Sequence, residues 1–232
     1  VIPVLGIPCI SRPDLLAELA ETIDHPVAEV VIVDNSPDGL GEVPFPDCVA
    51  RVTWLRPLDN LGFAGSVNAV LRGRPSLPWW AFANADATCG FGDLARLERE
   101  MDPEPERARI ARVHNDYRLF AVNRALVDAV GLWDENFHPV YCEDSDYGRR
   151  MDLAGVDQVP VWGSAGHFGS ATIADPFYAA HNARTYPLNR DYYVRKWGGW
   201  LGGEAFTTPF GRGGSVRDWT LEHARLREQG WG

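Results

Sequence analysis

The stretch EVVIVDN, residues 29–35, decides the fold. Its unbroken run Val30, Val31, Ile32, Val33 stops at Asp34 and Asn35, the pattern of a strand buried on both faces in a parallel sheet covered by helices. Upstream, residues 2–7 are again apolar and extended. Between the two, SRPDLLAELAETI (residues 11–23) offers Ser11 as an N-cap, Pro13 in the first turn and leucines on one helical face. Downstream, the pattern predicts a third strand over 49–55, a helix over 63–71, a fourth strand over 79–84 and a helix over 92–101. Strands alternating with helices define an α/β architecture with a mostly parallel central sheet flanked by helices.

In such sheets ligands gather beyond the carboxyl ends of the strands, so the strand-closing residues form a set: Asp34 and Asn35, residues 60–62, and Asn84-Ala85-Asp86. The charged, proline-broken MDPEPERAR (residues 101–109) divides the chain into a first half, 1–110, and a second, 111–197. Residues 198–232 are expected to extend from this domain and pack back on its core. A short strand near 156–161 and a helix near 218–228 complete the expected elements.

At 232 residues, with 45% hydrophobic and 11% aromatic content, the chain supports one globular unit. A net charge of −10 argues against a protein that coats nucleic acid through a broad basic face, though a local basic patch stays open. There is no run of about 18 apolar residues. The first residues, VIPVLGIPCIS, are too short and uncharged for a signal peptide, so the expectation is a cytoplasmic protein. Cys9, Cys48, Cys89 and Cys142 lack CxxC spacing and are expected to be free thiols.

The segment GLWDENFHPVYCEDSDYGRRMDLAG, residues 131–155, places Glu143, Asp144 and Asp146 within four residues. Two readings stay open. Carboxylates this close disturb one another's ionisation and suit a site that uses them. They also suit the first turn of a helix over 145–153, where negative charge complements the helix dipole. Arg149 and Arg150 stand at the spacing that would neutralise Asp146 along one helix face.

Taken together, VIVDNSPDG, NLGFAGSVNAVL, FANADAT, the 131–155 segment and GHFGS resemble, in this order, the family 2 glycosyltransferases. The likeness covers residues 2–197 and implies the GT-A fold, which binds nucleotide sugars. It implies that Asp34 reads the nucleobase, that Asn60, Gly62 and Asn68 approach the ribose or base, and that Arg12 is a candidate nucleotide contact. The motif NADA stands where the family carries Asp-x-Asp, with Asn84 replacing the first aspartate and Asp86 retained. Asp86 and His167, the latter in GHFGS, would hold Mn²⁺ or Mg²⁺ against the donor diphosphate, with Asn84 free to bond the ribose or sugar. Asp144 would be the general base, with Glu143 and Asp146 orienting acceptor hydroxyls or raising its pKa.

The activity so implied is an inverting, metal-dependent transfer of a hexosyl group from a UDP- or TDP-sugar to an acceptor hydroxyl, on a glycan or another macromolecule. The aromatic and basic run NRDYYVRKWGGWLGGEAFTTPFGRGG, residues 189–214, is similar to the tails of small stand-alone bacteriophage enzymes. It keeps open a hydroxymethylated pyrimidine in DNA or a virion protein as acceptor. The same run also suits core packing at a domain end. Asn84 leaves a third reading, a catalytically silent sugar-nucleotide-binding module. GFAGS lacks the Lys-Ser/Thr of a P-loop.

Overall fold

The computed structural model describes residues 1–101, 106–169 and 175–213. Strands β1 (Leu5–Cys9), β2 (Val30–Asp34), β3 (Val52–Leu55), β4 (Trp79–Ala83), β6 (Arg109–Val113), β7 (Leu119–Asn123) and β8 (Asp157–Val161) form one sheet in the order β3-β2-β1-β4-β7-β6-β8. Every pairing is parallel except those of β7, which runs against both β4 and β6. A two-stranded ribbon, β5 (Ala87–Thr88) with β9 (Gly166–His167), stands apart, pairing Ala87 with His167.

The expected mostly parallel α/β sheet flanked by helices is what the chain forms, and the burial of β2 explains why its sequence does not alternate. Val30 and Ile32 enter one core with Leu16 and Leu19 of α1 (Pro13–Glu21) and Leu94 and Leu97 of α3 (Asp93–Met101). Val31 and Val33 enter the other with Val67 and Val70 of α2 (Gly62–Gly73), Leu126 of α4 (Arg124–Val130) and Tyr147 and Met151 of α5 (Glu143–Ala154). Each layer of helices thus covers one sheet face, and a strand with no solvent side has no polar position to spare.

The long helix α6 (Pro176–Trp197) carries a third cluster, in which Tyr192, Tyr193 and Trp197 pack with Phe137 and Cys142. Trp200 and Phe210 of the following segment lie against the same group. The aromatic tail is therefore packing material over its described length. The helix expected near 218–228 lies outside the described residues, as do residues 102–105 of the proline-broken connection and Ser170 of GHFGS.

Two local expectations are corrected. Helix α1 has Arg12, not Ser11, at its N-cap: Pro13 at the first helical position excludes the right-handed conformation from the residue before it, and Arg12 adopts φ 61°. Helix α5 begins at Glu143, two residues before the expected Ser145, because Cys142 turns the chain at φ 73°. Among the described residues no helix is long and apolar enough to cross a membrane, and all four cysteines are free.

Candidate active site

Asp86 and His167 are 81 positions apart in sequence, yet His167 Nε2 lies 3.1 Å from Asp86 Oδ1. The ribbon makes this contact. Beside the Ala87–His167 pairing, Phe168 N donates to Asp86 O at 2.9 Å, fixing both residues just past β4. Two ligands at right angles on an ion with bonds of ~2.1 Å would stand ~3.0 Å apart, so this pair fits adjacent positions on a divalent cation. An aspartate with an imidazole suits manganese or another transition metal better than magnesium. Among the described residues no group of three or more His, Cys, Asp or Glu could hold an ion by itself, so two protein ligands are what this corner offers.

Asn84 closes β4 and is anchored by its backbone, donating to Arg118 O at 2.9 Å and accepting from Ala87 N at 3.0 Å. Its side chain makes no hydrogen bond among the described residues and is half-buried. The Cys9 thiol at the end of β1 links this corner to Asp34: burial first, then the charges of Asp34 and Asp86, push it up to about 12. Asp34 ends β2 and Asp86 follows β4, the two strands that flank β1 in the sheet.

Asp34 itself is enclosed. Its carboxylate accepts from Ser36 N at 3.1 Å, from the Ser36 hydroxyl, from Leu40 N at 2.8 Å and from Arg56 Nε at 3.4 Å. Burial opposes its charge, but these bonds outweigh it and hold the pKa below the usual carboxylate range. With no exposed side-chain surface, the carboxylate shapes the 34–40 loop and offers no open lone pair to a base. Arg12 is also committed elsewhere: its guanidinium pairs with Asp14 at 2.7 Å on the exposed surface.

In the NLGFAGSVN segment, Asn60, Gly62 and Asn68, expected to approach ribose or base, each make contacts within the protein. Asn68 is fully buried and spans α2 and the 131–136 turn: its Nδ2 donates to Trp133 O at 2.9 Å and Glu135 Oε1 at 2.8 Å, and its Oδ1 accepts from Trp133 N at 2.9 Å. Asn60 Oδ1 accepts from Gly62 N at 2.8 Å, and Asn60 O meets His138 Nε2 at 2.8 Å. Gly62, at φ +67°, is approached by protein: a Cβ there would stand 2.4 Å from Pro139 O, which accepts from Phe63 N at 2.8 Å. The glycine lets the 138–142 turn dock on the start of α2. Asn35, one of the strand-closing residues, joins β2 to the same loop, accepting from Leu61 N at 2.8 Å and donating to Ser66 Oγ at 2.9 Å.

The acidic cluster separates into three environments. Glu143 is buried, its Oε2 has no hydrogen-bond partner, and burial followed by the charge of Asp144 pushes its pKa well above the ordinary carboxyl value. Asp144 is half-buried; its Oδ1 accepts from Ser145 N at 2.7 Å, while its Oδ2 makes no hydrogen bond among the described residues. Asp146 is fully buried, with Oδ2 2.9 Å from Arg150 Nε and Oδ1 2.6 Å from Lys196 Nζ and 2.9 Å from Trp197 Nε1. Both oxygens of Asp146, expected to orient acceptor hydroxyls or to raise the pKa of Asp144, are engaged by interior donors, and the Arg150 pair is the one its spacing predicts. Lys196, one of the cations of the aromatic and basic run, is fully buried and also holds Asp134 Oδ2 at 2.7 Å.

No family model matches the chain. A galactofuranosyl glycosyltransferase of Leishmania donovani is 35% identical over 68 residues, which are 26% of this chain and 16% of that protein. Among solved structures, residues 1–349 of S. aureus TarS superpose with a TM-score of 0.50 at 12% identity, over 71% of this chain and 60% of that one. Glucosyl-3-phosphoglycerate synthase from Mycobacterium tuberculosis, a complex with Mn²⁺, UDP and glucosyl-3-phosphoglycerate, gives 0.51 at 12% identity over 81% and 78%. GalNAc-T7 with UDP, GalNAc and Mn²⁺ gives 0.57 at 12% identity, over 97% of this chain and 54% of that one. The chain therefore has the GT-A-type fold, and it spans 60% of the first of these structures and a small part of the curated relative.

Proposed function

We propose that the chain is a glycosyltransferase that moves a sugar from a UDP- or TDP-sugar to an acceptor hydroxyl with inversion at the anomeric carbon. The observation that carries this reading is the meeting of Asp86 and His167 at the carboxyl edge of a GT-A-type sheet. Asp86 and His167 would hold a divalent cation. Bound there, it would supply charge neutralisation for the donor diphosphate. The Asp34 loop and the 60–62 loop form the walls of the nucleotide site, and the open Asn84 amide is placed to bond ribose or sugar.

Asp144 is the group for the acceptor side. Its free Oδ2 takes the hydroxyl proton as the acceptor oxygen attacks the anomeric carbon. The bond from that carbon to the diphosphate oxygen breaks in the same step, and UDP or TDP leaves with the electron pair. Glu143 beside it is buried, and burial followed by the charge of Asp144 raises its pKa, which disfavours a second negative charge next to Asp144. A glycan, a modified DNA base or a protein would each satisfy this chemistry; the net charge of −10 favours the acceptors without a polyanionic backbone.

Asn84 in place of an aspartate supports one competing reading, a module that binds sugar nucleotides without turning them over. Release of UDP or TDP from sugar donors separates the two. The enzyme reading expects release by the wild type and a fall of about 10²- to 10⁴-fold in Asp144→Asn. Donor binding without any release would favour the silent module.

A further inference from the structure

The 138–142 turn presents Asp144, and it is held in an unfavourable shape. Tyr141 and Cys142 are consecutive non-glycine residues at φ 76° and 73°, in the left-handed region that side chains disfavour. Such conformations persist only where the surroundings impose them, and they gather at functional sites. Four successive carbonyls of the turn, 139–142, are anchored. Pro139 O accepts from Phe63 N at 2.8 Å, and Cys142 O accepts from Asp146 N at 2.9 Å as the first bond of α5. Between them, Val140 O and Tyr141 O both accept from Asn189 Nδ2, at 2.9 and 3.1 Å.

Asn189 comes from α6, is 4% exposed, and is the one side-chain donor in this set. The geometry points to Asn189 as a positioning residue that holds the left-handed turn and thereby sets where Asp144 stands against the acceptor. This inference rests on the reading of Asp144 as the general base. Without the amide, two part-buried carbonyls lose this partner and the backbone relaxes toward right-handed values, rotating the first turn of α5. Asp144 is two residues beyond Cys142, so the rotation moves its carboxylate directly. The donor corner at Asp86 and His167 lies on other elements and is left in place.

The test uses the full chain and steady-state release of UDP or TDP from UDP-glucose, UDP-galactose, UDP-N-acetylglucosamine and TDP-glucose. On the donor the wild type turns over fastest, Asn189→Leu is expected to lower kcat by about 10- to 100-fold, with KM for the donor within about twofold. Adding Cys142→Gly to the same variant should restore part of kcat, because glycine takes a positive φ without an imposed contact. A crystal structure of Asn189→Leu should show Tyr141 and Cys142 outside the left-handed region. Unchanged kcat, a loss that Cys142→Gly deepens, or a turn retained in the variant structure would each overturn the inference. A wild type with no turnover would instead remove the reading of Asp144 beneath it, and the positioning role with it.

Discussion

Lys196 Nζ lies 2.6 Å from Asp146 Oδ1, and neither side chain has any exposed surface. The same ammonium holds Asp134 at 2.7 Å, and Arg150 completes the charge balance on Asp146 at 2.9 Å. This cluster ties α5 to α6 and to the 131–136 turn. Replacing Lys196 by methionine strands two buried carboxylates against one arginine, and the expected loss is about 3–5 kcal/mol of unfolding free energy. Urea denaturation of Lys196→Met against wild type measures it.

Glu143 carries the opposite kind of strain. Its folded-state pKa is raised, so the folded chain holds this proton more tightly than the unfolded chain does. The group is neutral in both states below its unfolded value near 4.5; as pH rises from there toward the raised folded value, the unfolded state gains its charge and stability falls. Glu143→Gln removes this loss. The variant is expected to be more stable than wild type at pH 8 by about 1–2 kcal/mol and to match it near pH 4.5, as read by denaturant midpoints across that range.

Glu29 shows the reverse sign. Hydrogen bonds from Arg74 outweigh the burial that opposes its charge, and those from Thr53 and Arg51 add to them, holding the pKa at about 2. The stability it contributes is fully present above its unfolded value of 4.5 and is lost as pH falls through about 2. Glu29→Gln should cost about 2–3 kcal/mol at pH 7 and flatten the acid limb of the stability profile.

Gly62→Ala tests the contact between the two sides of the site. A Cβ at φ +67° would meet Pro139 O at 2.4 Å, so the 138–142 turn must move away from α2. A loss of about 1–3 kcal/mol is expected, together with a fall in turnover that exceeds any rise in donor KM, since the turn leads into Asp144. Thermal unfolding and steady-state kinetics on the one variant check both.

The sheet was readable because β2 has no polar position before its closing Asp34, and a strand covered on both faces must look that way. The reversal of β7 was not readable: residues 119–123, LFAVN, are as apolar as a parallel strand, and only pairing direction sets them apart. Asp86 with His167 and the half-exposed Asp144 stood out through motif order. The same carboxylate chemistry grouped Asp146 with the acceptor side, and the spacing to Arg150 gave its ion pair, but not its place as an interior anchor. The missing signal lay in α6, where Tyr192, Tyr193 and Trp197 mark one buried helical face and Lys196 falls on that face, four residues after Tyr192. A lysine at a core position of an aromatic helix needs a buried carboxylate. Asn68 and Gly62 resisted reading for a related reason: a polar residue and a glycine near a ligand loop look alike whether they meet a nucleotide or a neighbouring turn.

The central claim is that a sugar nucleotide and a divalent cation bind together at Asp86 and His167. Its most direct test is the thermal unfolding midpoint of the wild type and Asp86→Ala with UDP- and TDP-sugars, each with and without Mn²⁺. For a donor at about 100 times its Kd, the account predicts a rise of about 5 °C or more for the wild type with Mn²⁺, and little or none without the metal or in Asp86→Ala. No shift with any of these donors, or an equal shift in Asp86→Ala, would contradict it.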